Sequence, residues 1–345
     1  MKKVLVVKTS SLGDVIHTLP ALTDAQEAIP GIRFDWVVEE AFAEIPHWHP
    51  AVDKVIPVAI RRWRKNIVKT LTQGEWQQFK QQLQATTYDA VIDAQGLLKS
   101  AWLTYLTHGP SYGMDKSSAR EALAAHLYQH TIPVVKGIHA VERVRQLFAN
   151  ALGYKLPSQR GKFALNKTML LADSPEINQI ASVLSSSPYV VFLHGTTREQ
   201  KHWPEPYWFE LAEKFAEQGL YIVLPWGNEV EKQRANRIQS KVSSKAVVLP
   251  KLNLAGIAGV LAKATCVIAV DTGLGHLAAA LDRPCISLYG PTSPRLVGTY
   301  GEGQCHLTVD DANATNNKPL PAVEPAIFRS LMPVQVFQAV QPFLA

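Results

Sequence analysis

The sequence predicts an α/β protein made of two Rossmann-like parallel sheets, and three observations lead there. Short apolar runs rich in Val and Ile alternate with helix-like stretches along the whole chain, the pattern of parallel βα units. The same order of strand, polar loop and helix occurs once in each half. Between the halves, residues 155–188 break the rhythm with Pro157, Ser158, Pro175, Ser185–Ser187 and Pro188, which marks a junction. A chain of 345 residues also suits two cores better than one. We expect a first domain over 1–165, a second over 166–325, and a final segment, 326–345, whose helical stretch Pro333–Leu344 could pack back on the first.

The elements follow in order. Val4–Val7 opens the first half as a strand, then comes the loop Thr9–Asp14 and a helix from Val15 to Ala28. Phe34–Val38 and Asp89–Asp93 read as strands, with a Gln-rich surface helix over Glu75–Ala85 between them. The second half opens on the strand Tyr189–Leu193, the loop His194-Gly195-Thr196-Thr197 and a helix around Trp208–Gln218. The strands Tyr221–Leu224 and Val247–Leu249 and the helix Leu254–Ala264 come next. The strand Val267–Val270 runs into Asp271-Thr272-Gly273 and a helix to Leu281, and Cys285–Tyr289 is a further strand. Ligands of open parallel sheets lie beyond the carboxyl ends of the strands, so the loops of the two halves are expected to face one cleft.

Composition excludes several classes. Hydrophobic residues make up 47% and charged residues 19%, which fits a folded globular chain and not a disordered one. No apolar run approaches the ~20 residues that span a bilayer. Met1-Lys2-Lys3 precedes Val4–Val7, but that stretch breaks at Lys8 and is too short for a signal peptide, so a cytosolic protein is expected. Cys266, Cys285 and Cys305 are odd in number and lack Cys-x-x-Cys spacing; they read as reduced structural thiols. The net charge of +6 lies wholly in residues 1–165, which hold 20 Lys/Arg and 14 Asp/Glu, densest at Arg61-Arg62-Trp63-Arg64-Lys65. Such a cluster suits an anionic partner, whether nucleic acid, anionic lipid or a phosphorylated substrate. Trp63 within it reads as packing inward.

Three places carry chemistry. Asp14 follows Gly13 in a strand–loop–helix turn and either caps the helix or offers a general base to a cleft. The loop has neither the G-x-G-x-x-G of a dinucleotide fold nor the Lys of a P-loop. Asp271-Thr272-Gly273-Leu274-Gly275-His276 opens a helix after a buried strand, and free N–H groups there make a diphosphate seat. The alternative is capping by Asp271 and core packing of His276. Thr196, Thr197 and Lys201 supply two hydroxyls and a cation that can neutralise charge on a leaving phosphate, unless Lys201 is merely solvated. The Pro225-Trp226-Gly227 turn reads as structural. The eleven histidines show no zinc spacing, and no Gly-x-Ser-x-Gly elbow occurs.

Together these stretches resemble a known family. Lys8-Thr-Ser-Ser-Leu-Gly-Asp14 through Pro20, Asp93-Ala-Gln-Gly-Leu-Leu-Lys-Ser100, Lys201-His-Trp-Pro204, Asp271 through Ala280 and Leu288-Tyr-Gly-Pro-Thr292 look like the ADP-heptose:lipopolysaccharide heptosyltransferases. Arg61–Arg64 and His139-Ala-Val-Glu-Arg143 resemble the heptosyltransferase I members. The resemblance implies a glycosyltransferase-B fold, an ADP-L-glycero-D-manno-heptose donor, and the Kdo of Kdo2-lipid A as acceptor in the lipopolysaccharide inner core. It also implies a cytoplasmic enzyme peripheral at the inner membrane.

Residue by residue, the resemblance makes Asp14 the general base. Thr196, Thr197, Lys201, Thr272 and Gly273 become diphosphate contacts, and Asp271 and His276 lie near the donor heptose and phosphates. Glu231 matches a ribose-binding carboxylate, and Leu252 stands where a Met commonly lies against the adenine. Arg61, Arg62, Arg64, Lys99, Arg120 and Arg143 fall where basic residues meet the acceptor. Gly195 stands where close relatives tend to carry Ala, a difference expected to matter little. The implied chemistry is an inverting single displacement without cofactor or metal and without nucleic acid as partner. Competing readings are a later heptosyltransferase with another acceptor, a sugar-nucleotide epimerase, and a non-catalytic binder of anionic lipid or nucleic acid.

Overall fold

The structure, a computed structural model, describes residues 2–65, 74–166, 188–315 and 320–344. The chain divides into two compact units, 1–166 and 167–345. Part of the expected junction, including Pro175 and Ser185–Ser187, lies outside the described residues.

In the first unit, β1 (Lys3–Val7), β2 (Arg33–Glu39), β3 (Val52–Val58), β4 (Ala90–Asp93), β5 (Ser111–Met114) and β6 (His130–Ile132) form one sheet in the order β3-β2-β1-β4-β5-β6. In the second, β7 (Tyr189–Leu193), β8 (Tyr221–Leu224), β9 (Ala246–Val248), β10 (Cys266–Val270), β11 (Cys285–Tyr289) and β12 (Gln304–Thr308) give β12-β11-β10-β7-β8-β9. Every pairing is parallel. The two orders are the same doubly wound topology, which reverses between β1 and β4 and between β7 and β10. Loops after those four strands therefore define the ligand end of each sheet.

The central strands are apolar because both of their faces are covered. Val4–Val7, Tyr189–Leu193 and Cys266–Val270 are buried throughout. Cys266 and Cys285 lie in this core and Cys305 is half-buried; all three are free thiols. Burial raises the pKa of Cys266 and pushes that of Cys285 up to about 12, which leaves both inert.

One expectation changes, and the final helix finds its place. The helix foreseen over Val15–Ala28 is two helices, Leu12–Ile16 and Leu19–Ala28. Pro20 has no N–H to continue the first helix and instead starts the second. The helix Pro333–Val340 buries Val336 and Val340 in the second unit's core, and Phe337 lies 5.3 Å from Phe215. Its apolar stripe is thus used within the second unit.

Candidate functional site

In the first unit, Asp14 is the third residue of the helix Leu12–Ile16. Its Oδ2 accepts from the Ser11 backbone N–H and the Ser11 hydroxyl, both at 2.9 Å. Its Oδ1 lies 4.0 Å from Lys8 Nζ, and about a third of the side chain is open to solvent. One oxygen caps the helix and the other remains for chemistry. Burial opposes the charged form, but Lys8, the Ser11 hydrogen bonds and Arg120 outweigh it and hold Asp14 below its usual range. The carboxylate is therefore ionised at neutral pH.

The stretch after β4 holds this loop from behind. Lys8 Nζ donates to the Ala94 carbonyl at 2.9 Å, and Gln95 Oε1 accepts from the Thr9 N–H and hydroxyl at 2.8 Å each. Buried Asp93 accepts from the Gln95 N–H at 2.7 Å and the Tyr128 hydroxyl at 2.7 Å. The Tyr128 ring lies against Gly113, where a Cβ would come within 2.2 Å of it, so no larger residue fits. Much of the Asp93–Ser100 motif is scaffold.

The basic residues divide. Arg120 and Arg143 are near enough to act electrostatically on Lys8, and Arg61 and Lys99 act in the same way on Glu39. Half-buried Arg143 donates to the Ser118 carbonyl at 2.6 Å. Arg61 lies over the Phe42 ring at 5.2 Å. Arg62 is already committed, to Glu40 at 3.2 Å and Glu75 at 2.8 Å. Arg64 and Lys99 are exposed. Trp63 is half-buried against Trp76 and Phe79 and donates to Glu75 at 2.7 Å.

In the second unit, Asp271 at the end of β10 is the hub. Its Oδ2 accepts from Lys201 Nζ at 2.5 Å and the Thr292 hydroxyl at 2.6 Å, and its carbonyl accepts from the Thr196 hydroxyl at 3.0 Å. Lys201 is thus neither solvated nor loose. Thr272 precedes the helix Gly273–Ala280 and makes no side-chain cap bond, which leaves the first N–H groups of that helix aimed beyond the sheet. Thr197 is exposed, while His276 is buried one turn in.

Glu231 lies in the first turn of the helix Glu229–Val242, which Asn228 caps by accepting the Glu231 N–H at 3.0 Å. Its carboxylate accepts from the Gly227 N–H at 2.7 Å and lies over Gly195, where a Cβ would approach its Cδ within 2.6 Å. A Cβ at position 195 would meet only the far end of this flexible side chain, which can turn aside, so the difference from Ala is a small one. Half-buried Leu252 packs beside Gly256, whose Cβ would be 3.2 Å from it. Three residues beyond Glu231, Arg234 donates to the His194 carbonyl and to His202 Nδ1, both at 3.0 Å. It thereby ties both ends of the loop that carries Thr196 and Lys201. Burial and the Arg234 charge lower the His202 pKa, which keeps Nδ1 available as an acceptor.

Residues 76–325 match glycosyltransferase family 9 (heptosyltransferase). The chain belongs to this family. It is 60% identical over 309 residues to lipopolysaccharide heptosyltransferase 1 of Pseudomonas aeruginosa, covering 89% of this chain and 84% of that protein. It is 54% identical over 318 residues to the Escherichia coli K12 protein of the same name, covering 91% and 96%. The solved E. coli heptosyltransferase WaaC with ADP is similar at a TM-score of 0.86 and 49% identity, covering 99% of each chain. E. coli heptosyltransferase II, at 21% identity and a TM-score of 0.76, shares the fold. The chain is accordingly a glycosyltransferase of the glycosyltransferase-B type.

Among the expected family 9 residues, the second unit gathers Thr196, Lys201 and Asp271 at one point, with Thr272 and Gly273 directly following Asp271. In the first unit Lys8 and Arg120 act electrostatically on Asp14, and Arg143 acts on Lys8, whereas Arg62 is engaged with its own neighbours. Lys8, Gln95, Thr292 and Arg234 were not assigned roles from the sequence. Lys8 and Gln95 lie inside quoted motifs and Thr292 ends one. Arg234 sits one helical turn from Glu231, the sole hint the sequence offers.

Proposed function

We propose that the chain transfers L-glycero-D-manno-heptose from ADP-heptose to the Kdo of Kdo2-lipid A, building the lipopolysaccharide inner core at the cytoplasmic face of the inner membrane. The observation that carries the donor half is the Asp271 hub, where a cation, two hydroxyls and a helix start meet at the end of β10. In support, WaaC solved with ADP-2-deoxy-2-fluoro heptose is similar over 99% of this chain at a TM-score of 0.84. Thr196, Thr197, Lys201, Thr272 and Gly273 receive the diphosphate, Asp271 and His276 the adjoining heptose, Glu231 the ribose and Leu252 the adenine. Arg61, Arg62, Arg64, Lys99, Arg120 and Arg143 receive the acceptor's carboxylates and phosphates, which arginine forks suit.

The chemistry is one displacement. Asp14 Oδ1 takes the proton of a Kdo hydroxyl as that oxygen bonds to the anomeric carbon of heptose. The bond from that carbon to the ADP oxygen breaks on the opposite side, so the configuration inverts. Charge growing on the departing diphosphate is met by Lys201 and the helix N–H groups. The test is incubation of the purified chain with ADP-heptose and Kdo2-lipid A. The lipid should gain one heptose in mass while ADP is released, and activity should persist in excess EDTA. Release of ADP only with a heptosylated core acceptor would point to a later step, and change of the sugar nucleotide without any acceptor would point to an epimerase.

A further inference from the structure

We propose that the exposed aromatic face of the helix Leu98–Tyr105 is a docking surface for an anionic lipid bilayer. Leu98, Trp102 and Tyr105 stand at positions i, i+4 and i+7, a single stripe along the helix. Each is open to solvent, at 43%, 47% and 67%. Leu123, 64% exposed, comes from the segment Ala122–Leu127 that packs beside this helix. The inward side of the helix is already filled by Ser100, Ala101, Leu103 and Thr104. The outward stripe is therefore surplus to the unit's own core.

What adjoins the stripe identifies its partner. Trp102 stacks on Trp76 with ring centroids 5.1 Å apart and planes 10° from parallel, and Trp76 meets Trp63 edge-on at 5.9 Å. This line of indoles joins the apolar stripe to the basic turn that contains Trp63. Two carboxylates, Glu40 and Glu75, hold the one guanidinium of Arg62 there, so one charge of exposed Arg61, Arg64 and Lys65 is offset and the rest remain, with Lys99 on the helix itself. The stripe thus offers Trp, Tyr and Leu with the basic turn beyond the indoles, while at the helix start the exposed Glu121 carboxylate accepts the Leu98 N–H at 2.6 Å and offsets one of these cations. Indole and phenol rings settle at headgroup depth, and Lys and Arg are drawn to anionic headgroups. A soluble polyanion would use the cations and leave the stripe in water. A bilayer surface uses both, as an in-plane amphipathic helix does.

The surface gains its use from the proposed lipid-borne acceptor, but its test needs neither substrate, so the two ideas fail separately. The full chain is sedimented with vesicles of phosphatidylcholine alone or mixed with phosphatidylglycerol, at low and high salt. Binding should require the anionic lipid and weaken with salt. Trp102→Ser with Tyr105→Ser should lower partitioning about tenfold. Tyr105→Ser alone, at the most exposed of these rings, should lower it severalfold, so the outcome does not hang on folding of the double variant. Leu296→Ser, which removes a comparably exposed apolar side chain from the second unit, should change nothing. The proposal is overturned if the wild type ignores anionic vesicles, if the Tyr105 variant binds like wild type, or if Leu296→Ser costs as much. It is equally overturned if the lipid-free wild type is a dimer that Tyr105→Ser dissociates, since the stripe would then serve a second copy.

Discussion

The two units share a sheet topology yet finish their ligand ends differently. In the second, the polar groups are bound to one another: Asp271 holds Lys201 and Thr292, Thr196 ties to the Asp271 carbonyl, and Arg234 secures both ends of the loop between them. In the first, hydrogen bonds lock the backbone of the Thr9–Asp14 loop, while Arg64, Lys99 and Arg120 stand open to solvent. A preorganised cluster suits a small diphosphate whose charge shifts during reaction, because fixed dipoles and cations need not reorganise. An open basic surface suits a large, many-charged acceptor that is gathered by long-range attraction. If that contrast is functional, lesions in the second unit should act on the donor and in the first on the acceptor, with Asp14 the exception.

Asp14→Asn should have the largest effect. It keeps the shape and the cap, since Asn can accept from the Ser11 N–H as Asp does, but deletes the base. A loss of ~10²–10⁴ in kcat is expected, with ADP-heptose affinity nearly unchanged; near-normal kcat would remove Asp14 from the mechanism. The pH profile sharpens this. Asp14 has a lowered pKa, so its ionised form, and with it the rate, should be lost only as pH falls below the ordinary carboxylate range. Lys8→Met removes the nearest cation and should move this acid limb upward. A limb that does not move would separate Lys8 from the base.

Lys201→Ala comes next. Its ammonium matters most as ADP departs, so both kcat and donor KM should worsen, together lowering kcat/KM by about 10². Unchanged values would mean that the Asp271 pair is structural. Arg234→Ala should be milder, raising donor KM about tenfold by freeing the loop ends with acceptor KM unaltered. Arg234→Lys should recover part of this, because an ammonium can still donate to the His194 carbonyl. Equal losses for both substrates, with no recovery by Lys, would make Arg234 a general stabiliser.

These effects trace to features of unequal visibility in the sequence. Tyr189–Leu193 and Cys285–Tyr289 are readable because strands buried on both faces are plain apolar runs. β3 and β12 are edge strands, the first carrying Pro57 and the second half-buried along its whole length, so neither shows the pattern of a core strand. The family motifs give the loops, but not what the side chains do to one another. Lys201 and Asp271 are 70 residues apart and Thr9 and Gln95 are 86 apart, distances that no local spacing rule spans. The commitment of Arg62 to Glu40 and Glu75 was hidden for the same reason, as was the placing of the Glu231 carboxylate over Gly195.

That hidden commitment sets up the smallest and most discriminating comparison. Arg62 and Arg64 are two residues apart and equally basic, and sequence alone makes them equivalent acceptor contacts. Arg62 already spends its guanidinium on two carboxylates, whereas Arg64 is exposed without a comparable pair among the described residues. Exposed ion pairs contribute little to stability, so Arg62→Ala should leave the fold intact and release Glu40 and Glu75 as local negative charge. Arg64→Ala should raise the acceptor KM about threefold at low salt, and added salt should shrink the difference from wild type because an exposed charge is screened. Arg62→Ala should raise the KM less, unless the acceptor displaces both carboxylates. Acceptor KM for the two variants at two salt concentrations decides between these. A larger effect at Arg62 would mean that its ion pairs open when the acceptor arrives, and the first unit would then be less finished than it looks without its substrate.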